Sequence, residues 1–325
     1  MTRKTLILHI APALLATLCW QATATGQNFN RAKDLAREVV GQAQGGQQAD
    51  APAEPQHQAA PAETPQDEGP LTVEQIVART NYVSYYQGLD GRAQVKMTIT
   101  DAQGRQRIRE FTILRRDQQA PDTQEPAKDS QFTGEQKFYL YFHAPADVNK
   151  MVFMVHKHLD RDDDRWLYLP DLDLVKRIAA ADKRTSFVGS NFLYEDVSGR
   201  NIDADEHELV EAESDADYYV LKNTPKDPGS VEFAYYKMWI HRKTFVVVQT
   251  RYYDKQDQEY RRYEALKVDK NPQFGYSTVT KSKMSDLRDG GHTEMEYANV
   301  TYNMALPDEL FSERFLRRAP MKFLK

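Results

Sequence analysis

The sequence predicts a mainly β protein, built as one large antiparallel meander of short strands. Segments in which apolar and polar residues alternate recur along most of the chain, with turn residues between them. The 18 tyrosines and 14 phenylalanines, together with many Val, Ile and Thr residues, favour strands. Helical spacing of apolar residues is rare. The 325 residues suffice for one large core with tails, or for two small domains.

The elements of this fold can be placed in order along the chain. Thr72 and Gln75 form a capping-box pattern, which predicts a helix that reaches about Tyr82. The polar segment 117–134 is predicted to be a surface loop, and Pro307 to open a short terminal helix. Strands are predicted near 95–99, 111–113, 138–142, 151–155, 164–169, 173–178, 206–212, 217–222, 231–242, 245–253, 258–268, 276–285 and 293–302.

The first residues have the pattern of an export signal. Two basic residues precede an apolar run over 6–20, and Ala22-Thr23-Ala24 supplies the small residues of a cleavage site. Residues 1–24 are therefore predicted to be a cleaved signal peptide, which places the protein in the periplasm; a membrane anchor is the alternative. Cys19 is the only cysteine and lies inside this segment, so disulfides and thiolate sites are not expected in the mature chain.

Composition divides the remaining chain into three parts. Residues 25–40 have apolar residues at helical spacing and predict a short amphipathic helix. Residues 41–70 are rich in Gln, Ala and Pro, hold five acidic residues and no Lys or Arg, and predict a disordered linker. Residues 71–325 are expected to form the folded domain.

Two predicted strands are apolar on both faces, which requires that both faces be covered. In 138–142 the tyrosines alternate with Phe and Leu, and 151–155 is apolar throughout. A helix on one face and a bound apolar ligand on the other would satisfy this pattern. An ordinary two-layer sandwich with a filled core would do so as well, and periodicity alone favours the sandwich.

The residues disfavour several classes of function. The formal net charge of −5 offers no favourable field for a nucleic acid. His156, His158 and the aspartates after them resemble a metal site but lack the Gly and Glu of a calcium loop. The residue types of a hydrolase triad are present without a nucleophile elbow, in Ser186, Ser190, His207 and Asp196. We therefore predict no enzyme activity, metal or cofactor, and keep a hydrolase near Asp196 as a third hypothesis.

One stretch, 164–196, carries a specific pattern. It holds Trp-Leu-Tyr-Leu-Pro at 166–170, a basic pair at 176–177, and Phe-Val-Gly-Ser-Asn-Phe-Leu-Tyr-Glu-Asp at 187–196. In order and spacing this resembles the outer-membrane lipoprotein-sorting family, the relatives of the carrier LolA. Weaker agreement extends from about Leu71 to the C-terminus.

The resemblance implies an incomplete antiparallel β-barrel, capped by short helices, around an apolar cavity. It also implies a periplasmic carrier or binding protein for lipid or lipoprotein acyl chains. Members of this family work beside envelope lipid exporters of the resistance-nodulation-division (RND) type, so such an inner-membrane transporter is the expected partner. The alternative is a structural or interaction protein of the cell envelope whose core is filled.

Two sets of candidate residues follow from the strand faces and this motif. The charged residues of the motif are expected to form a buried network, in which Asp196, and with it Glu195, pairs with Arg177 or Arg184. A purely architectural role for the motif is equally open. The cavity set is Met97, Phe138, Leu140, Phe142, Met151, Phe153, Trp166, Tyr168, Phe187, Phe192 and Tyr194, and the network set is Arg177, Arg184, Gly189, Ser190, Glu195 and Asp196.

Overall fold

A computed structural model describes residues 69–118 and 134–325. The predicted signal peptide at 1–24, the predicted helix at 25–40, most of the predicted 41–70 linker and most of the predicted 117–134 loop lie outside these residues. Among the helices of the described ranges, none is both long and apolar enough to cross a membrane.

The described chain is mainly strand, with three short helices. Helix α1 (Val73–Asn81) continues into a π-helical turn (Tyr82–Tyr86), α2 is Tyr194–Ser198 and α3 is Arg314–Arg317. The strands are β1 (Asp90–Thr100), β2 (Gln106–Asp117), β3 (Gln136–Ala144), β4 (Val152–Lys157), β5 (Asp164–Leu169), β6 (Leu174–Ile178), β7 (Asp205–Leu209), β8 (Tyr218–Pro225), β9 (Tyr235–His241), β10 (Val247–Tyr253), β11 (Glu259–Lys270), β12 (Ser277–Asp286) and β13 (His292–Tyr302).

These strands form one antiparallel sheet of 13 strands, in the order β6-β5-β4-β3-β2-β1-β13-β12-β11-β10-β9-β8-β7. Neighbours in sequence are neighbours in the sheet, except that β1 pairs with β13 and β6 does not pair with β7. The sheet therefore has two free edges, and it is an incomplete barrel rather than a closed one. The predicted mainly β, incomplete antiparallel barrel is confirmed.

Helix α1 begins where the capping-box pattern predicts. The Thr72 hydroxyl accepts a hydrogen bond from the Gln75 amide at 3.3 Å, and the Gln75 side chain accepts one from the Thr72 amide at 2.9 Å. Ile76 and Val77 are buried against residues of β8 and β9. The α-helix ends at Asn81, as the prediction of an end near Tyr82 expected, and the chain continues directly into the π-helical turn.

The segment 179–204 connects the two edge strands and packs into the sheet. Its aromatic residues, Phe187, Phe192 and Tyr194, are buried against the face that also carries Phe142 and Phe153. We call this face of the sheet the inner face. The segment thus fills the space at the barrel's open side, where the strands leave their edges unpaired.

The opposite, outer face of β2 to β5 is covered by the C-terminal segment. Leu310, Phe311 and Leu316 pack there on Tyr139 and Met154. The predicted terminal helix after Pro307 is a 3₁₀ turn at Asp308–Phe311, and α3 follows it.

Trp166 and Tyr168 do not lie on the inner face, so their assignment to the cavity is wrong. Trp166 pairs with Met154 and Tyr168 with Val152, and both join the cluster beneath the C-terminal segment. Leu167 occupies the inner face instead. Alternation shows that residues 166 and 168 share a face, but where both faces are apolar it does not show which face is the inner one.

We expect Gly199→Ala to destabilise the fold by about 2–4 kcal/mol, measured by denaturant unfolding. Gly199 has φ of 76°, and a Cβ there would overlap the Tyr85 ring. The matched control is Gly104→Ala, where φ is 78° but nothing lies within 4 Å of the added carbon. Gly104→Ala introduces backbone strain without a steric overlap, so it should lower the free energy of unfolding less than Gly199→Ala does. Equal losses in the two variants would contradict close packing of Tyr85 on Gly199.

Candidate functional site

A cavity of about 450 Å³ lies between the inner face and the helical cap formed by α1 and the π-helical turn. Val77, Val83 and Tyr85 of the cap line one side, and β9 to β13 supply much of the opposite wall. The 179–204 segment contributes Phe187 and Phe192. Three separate parts of the chain therefore line one cavity.

Much of the wall is aromatic and aliphatic, with three methionines, and polar and charged residues lie among them. Met295 and Met284 sit on the long strands β13 and β12, and their flexible thioethers adapt to varied apolar shapes. Apolar walls with few polar groups are the usual composition of small-molecule sites. The principal apolar and aromatic lining residues are Phe111, Ile113, Phe138, Leu140, Phe187, Phe192, Met238, Val246, Tyr252, Tyr263, Val279, Met284, Met295 and Tyr297.

The cavity set predicted from the sequence is divided between the cavity wall and a solid core. Phe138, Leu140, Phe187 and Phe192 line the cavity. Five others do not line it and are buried in the packed cluster of the inner face: Met97, Phe142, Met151, Phe153 and Tyr194.

Interlocking aromatic rings explain why those five residues enclose no space. The Phe187 ring lies 5.5 Å from the ring of Phe153 and 5.6 Å from that of Tyr194, measured between centroids. The rings of Phe111 and Phe142 are 5.0 Å apart. The region around Phe142, Phe153 and Tyr194 is therefore filled, as the sandwich alternative expected. The cavity lies beside it, between the helical cap and β9 to β13, and we call that part of the barrel the hollow half.

Sequence reasoning missed the tyrosines of the hollow half. Tyr252, Tyr263 and Tyr297 lie on β10, β11 and β13 and line the cavity. Their strands were predicted, but no local feature distinguishes these inward tyrosines from the outward ones on the same strands. Burial raises the pKa of Tyr252 and of Tyr297 to about 12, so both hydroxyls stay neutral and protonated at physiological pH.

An ion-pair network forms the cavity wall beside the motif. Glu195 pairs with Arg184 at 2.9 Å and with Arg200 at 3.4 Å. Arg184 also reaches Glu232 at 2.5 Å, and Arg200 pairs with Asp205 at 2.9 Å. The predicted pairing of Glu195 with Arg184 is confirmed.

Asp196 pairs with neither predicted arginine. Its partner is Arg261 on β11, and both side chains are nearly buried. Asp196 also accepts a hydrogen bond from the Leu193 amide at 2.7 Å, at the start of α2. Arg177 instead pairs with Asp164 and leaves 66% of its side chain exposed. The predicted role of Arg177 is wrong because residue 177 lies on the outer side of edge strand β6, opposite Trp166.

The surroundings of Arg184 favour its charged form. Burial alone lowers the pKa of this guanidinium, but its hydrogen bonds to Glu232 and the charges of Asp196 and Glu195 outweigh burial and raise it. Arg184 therefore stays cationic at physiological pH and can hold Glu195 and Glu232 together.

Gly189 and Ser190 shape the loop of the motif. Gly189 has φ of 76°, and its carbonyl accepts a hydrogen bond from Arg107 at 3.2 Å. The Ser190 hydroxyl bonds to the backbone of Phe192, and the Asn191 amide donates to Thr293 on β13 at 3.0 Å. These contacts hold the loop against the sheet and favour an architectural role for this part of the motif.

The candidate metal and hydrolase residues bond largely to other groups of the protein. His156 contacts the Phe311 carbonyl at 2.7 Å, and His158 lies between Glu135 and Asp164. Within 69–118 and 134–325, no group of three or more His, Cys, Asp or Glu residues is arranged to hold a metal ion. His207 contacts Asn223 and the Ile202 carbonyl, while Ser190 is engaged by Phe192.

Comparison with known proteins adds independent observations. Residues 134–318, more than half of the chain, match a family whose description is "uncharacterized protein". No curated protein matches the sequence. A DUF1329 family protein from Desulfovibrio piger is 26% identical, with a TM-score of 0.64 over 74% of this chain and 96% of that protein.

Two further solved structures share the architecture. A domain named for outer membrane lipoprotein sorting, from Vibrio parahaemolyticus, is 23% identical, with a TM-score of 0.64 over 75% of this chain and 97% of its own. A LolA superfamily protein from Nitrosomonas europaea is 16% identical, with a TM-score of 0.55 over 76% of this chain and 100% of its own. These likenesses establish a LolA-like fold.

Proposed function

The chain belongs to the family whose model matches residues 134–318, and on that premise we propose that it is a periplasmic carrier or binding protein for the acyl chains of lipids or lipoproteins. The observation that carries the proposal is the cavity of about 450 Å³ with its largely aromatic and aliphatic wall. Such a wall can remove an acyl chain from water.

The related structures support carriage over catalysis. One is named for lipoprotein sorting and another belongs to the LolA superfamily. Of the charged groups that line the cavity, Glu195 and Arg200 are joined in ion pairs, and Asp196 pairs with Arg261, rather than in a nucleophile–base arrangement. A binding role without enzyme activity is therefore our proposal.

Two wider proposals rest on the sequence. Export to the periplasm is supported by the signal pattern at 1–24. Work beside an RND-type inner-membrane transporter is supported by the resemblance of the 164–196 motif. Cross-linking of the protein in its native envelope, followed by mass spectrometry, tests the transporter proposal: recovery of an RND subunit supports it, and its absence among the cross-linked proteins contradicts it.

The alternative is a structural protein of the envelope whose core is filled. It can be tested against the carrier proposal, because part of the barrel is indeed filled. We expect Ile113→Trp to weaken the binding of a fluorescent fatty-acyl probe at least tenfold, measured by anisotropy on the delipidated protein. Ile113 is half-buried on β2 and lines the cavity, so a larger ring occupies ligand space. The matched control is Ile108→Trp, which makes the same change on the same strand at a position that is 42% exposed.

The control should bind the probe as the wild type does. Equal binding by Ile113→Trp and the wild type, or no binding by the wild type, would contradict the carrier proposal and favour an envelope protein with a structural role.

A further inference from the structure

We propose that the outward side of the segment 313–325 is a docking surface for an anionic lipid bilayer. We call this side the basic face, and its exposed basic and apolar side chains are Arg314, Arg317, Arg318, Met321, Lys322 and Lys325. The docking surface rests on the proposed function in one respect, since a carrier of acyl chains has to meet the membrane that supplies or receives them. It lies on the outer face of the sheet, opposite the face that borders the cavity.

The segment is fixed to the sheet by every fourth side chain. Leu316, Pro320 and Leu324 are buried, and the two leucines belong to the apolar cluster of the outer face. The Tyr139 hydroxyl also donates a hydrogen bond to the Phe315 carbonyl at 2.8 Å. Because one side of the segment is anchored in this way, the basic side chains between the anchors are directed toward solvent.

The charge of this segment is opposite to that of the whole protein. Residues 313–325 contain five basic residues and one acidic residue, whereas the formal net charge of the chain is −5. Arg317 pairs with Asp173 at 2.9 Å. Among the carboxylates of the described residues, none pairs with Arg314, Arg318 or Lys322. An anionic surface repels the protein as a whole, so a local basic face determines which side approaches that surface.

The acidic side chains that precede the basic face in the chain do not cancel its charge. Asp308 is already paired, with Lys137 at 2.8 Å and with Arg116 at 3.8 Å. Glu309 and Glu313 are exposed. The unpaired cations of the segment outnumber these two carboxylates, so the electrostatic potential at the basic face is positive.

Apolar side chains are exposed among the cations. Met321 is 44% exposed, and it lies between Arg318 and Lys322 in the sequence. Leu172, which precedes the Asp173 partner of the segment, is 70% exposed. Basic side chains bind lipid phosphates while apolar neighbours enter the layer beneath the headgroups. A soluble polyanion would satisfy the cations and leave the apolar side chains in water, so the combination favours a bilayer.

Co-sedimentation with lipid vesicles tests the basic face on the protein purified without detergent from its native envelope. Vesicles of phosphatidylcholine alone are compared with vesicles that also contain phosphatidylglycerol, and the wild type should bind the anionic vesicles more tightly. Each basic residue beside an anionic bilayer strengthens binding about fivefold. The combined substitution Arg314→Gln, Arg318→Gln and Lys322→Gln should therefore lower the affinity for anionic vesicles at least tenfold.

A second triple variant provides the matched control. Lys226→Gln, Lys243→Gln and Lys255→Gln change the net charge equally, at exposed positions outside the basic face. This variant should bind anionic vesicles within about threefold of the wild type, because its lysines are far enough from the bilayer to be screened by salt. Equal affinities of the two triple variants would overturn the proposal. So would equal binding of the wild type to neutral and anionic vesicles, or binding to soluble polyglutamate as tight as that to anionic vesicles.

A new tryptophan tests whether the basic face reaches the apolar layer. Met321→Trp and Leu287→Trp place the same ring at positions with matched exposure, 44% and 45%. Lipids with brominated acyl chains in the anionic vesicles should quench the added fluorescence of Met321→Trp, measured relative to the wild type, and leave that of Leu287→Trp unchanged. Equal quenching of the two variants, or vesicle binding without quenching of Met321→Trp, would overturn the proposal.

The docking surface and the carrier function fail in different ways. The Arg314, Arg318 and Lys322 triple variant should bind the fluorescent fatty-acyl probe as the wild type does, since the substituted residues lie away from the cavity lining. Probe binding by a wild type that binds neither kind of vesicle would overturn the docking surface alone. Vesicle binding by a wild type that binds no probe would contradict the carrier function instead.

Discussion

Phe187→Ala should lower the free energy of unfolding by about 3–5 kcal/mol, in the range of large-to-small changes at buried aromatic positions. Phe187 is fully buried, and its ring meets those of Phe142, Phe153 and Tyr194 at centroid distances of 6.0, 5.5 and 5.6 Å. These partners come from the sheet and from α2, so the residue joins the 179–204 segment to the inner face. Truncation would leave a void that these rings cannot fill without moving.

Denaturant unfolding, followed by tyrosine and tryptophan fluorescence, measures this loss. Phe187→Leu keeps most of the volume and should cost clearly less. Leu172→Ala, at a position that is 70% exposed, should leave stability within about 0.5 kcal/mol. A loss for Phe187→Ala no greater than that for Leu172→Ala would show that the segment does not pack into the barrel.

Removal of Asp196 should have a comparably large effect. Asp196→Ala leaves Arg261 nearly buried without its carboxylate, and breaking a buried pair in this way costs about 3–5 kcal/mol. Arg261 keeps a hydrogen bond to the Asn191 carbonyl at 3.1 Å, so we expect a loss near the lower end of this range. The pair joins α2 to β11, across the open side of the barrel.

A double-mutant cycle with Arg261→Ala isolates the contribution of the pair. We expect a coupling energy of more than about 1 kcal/mol, since both groups lie in one buried network. Arg177→Ala serves as the exposed counterpart: its pair with Asp164 is largely in water, and its loss should cost less than about 1 kcal/mol. A coupling energy near zero between Asp196 and Arg261 would contradict the claim that this ion pair stabilises the fold.

Strand positions could be predicted from the sequence because the alternation of side chains is a local property. The prediction of 164–169 agrees with β5 at both ends, and that of 293–302 agrees with β13 to within one residue. The start of α1 could be predicted for the same reason, since the side chains of Thr72 and Gln75 each accept a hydrogen bond from the other's backbone amide.

The faces and partners could not be predicted in the same way. The inner side of β5 is decided by the pairing of Phe153 with Leu167, which depends on the register with β4. Arg261 lies far from Asp196 in sequence, and only the curl of the sheet brings β11 to the motif. The predicted pairing of Asp196 with Arg177 failed for that reason.

The division of the barrel into filled and hollow halves is also a tertiary property. Both halves have inward aromatic residues, but those of β3 and β4 are met by Phe187 and Tyr194 from the connecting segment. The tyrosines of β10, β11 and β13 face the helical cap across open space. The resemblance of the motif indicated that a cavity exists, while its position depends on where the segment and the cap lie.

The central claim is that this hollow half holds a lipid chain, and identification of the bound molecule tests it most directly. The protein would be purified without detergent from its native envelope, and its organic extract and its intact complex would both be analysed by mass spectrometry. We predict a lipid bound at one molecule per chain in the wild type and in Ile108→Trp, and its loss from Ile113→Trp. A wild type free of lipid that also fails to take up an acyl probe, or equal lipid in all three proteins, would contradict the claim.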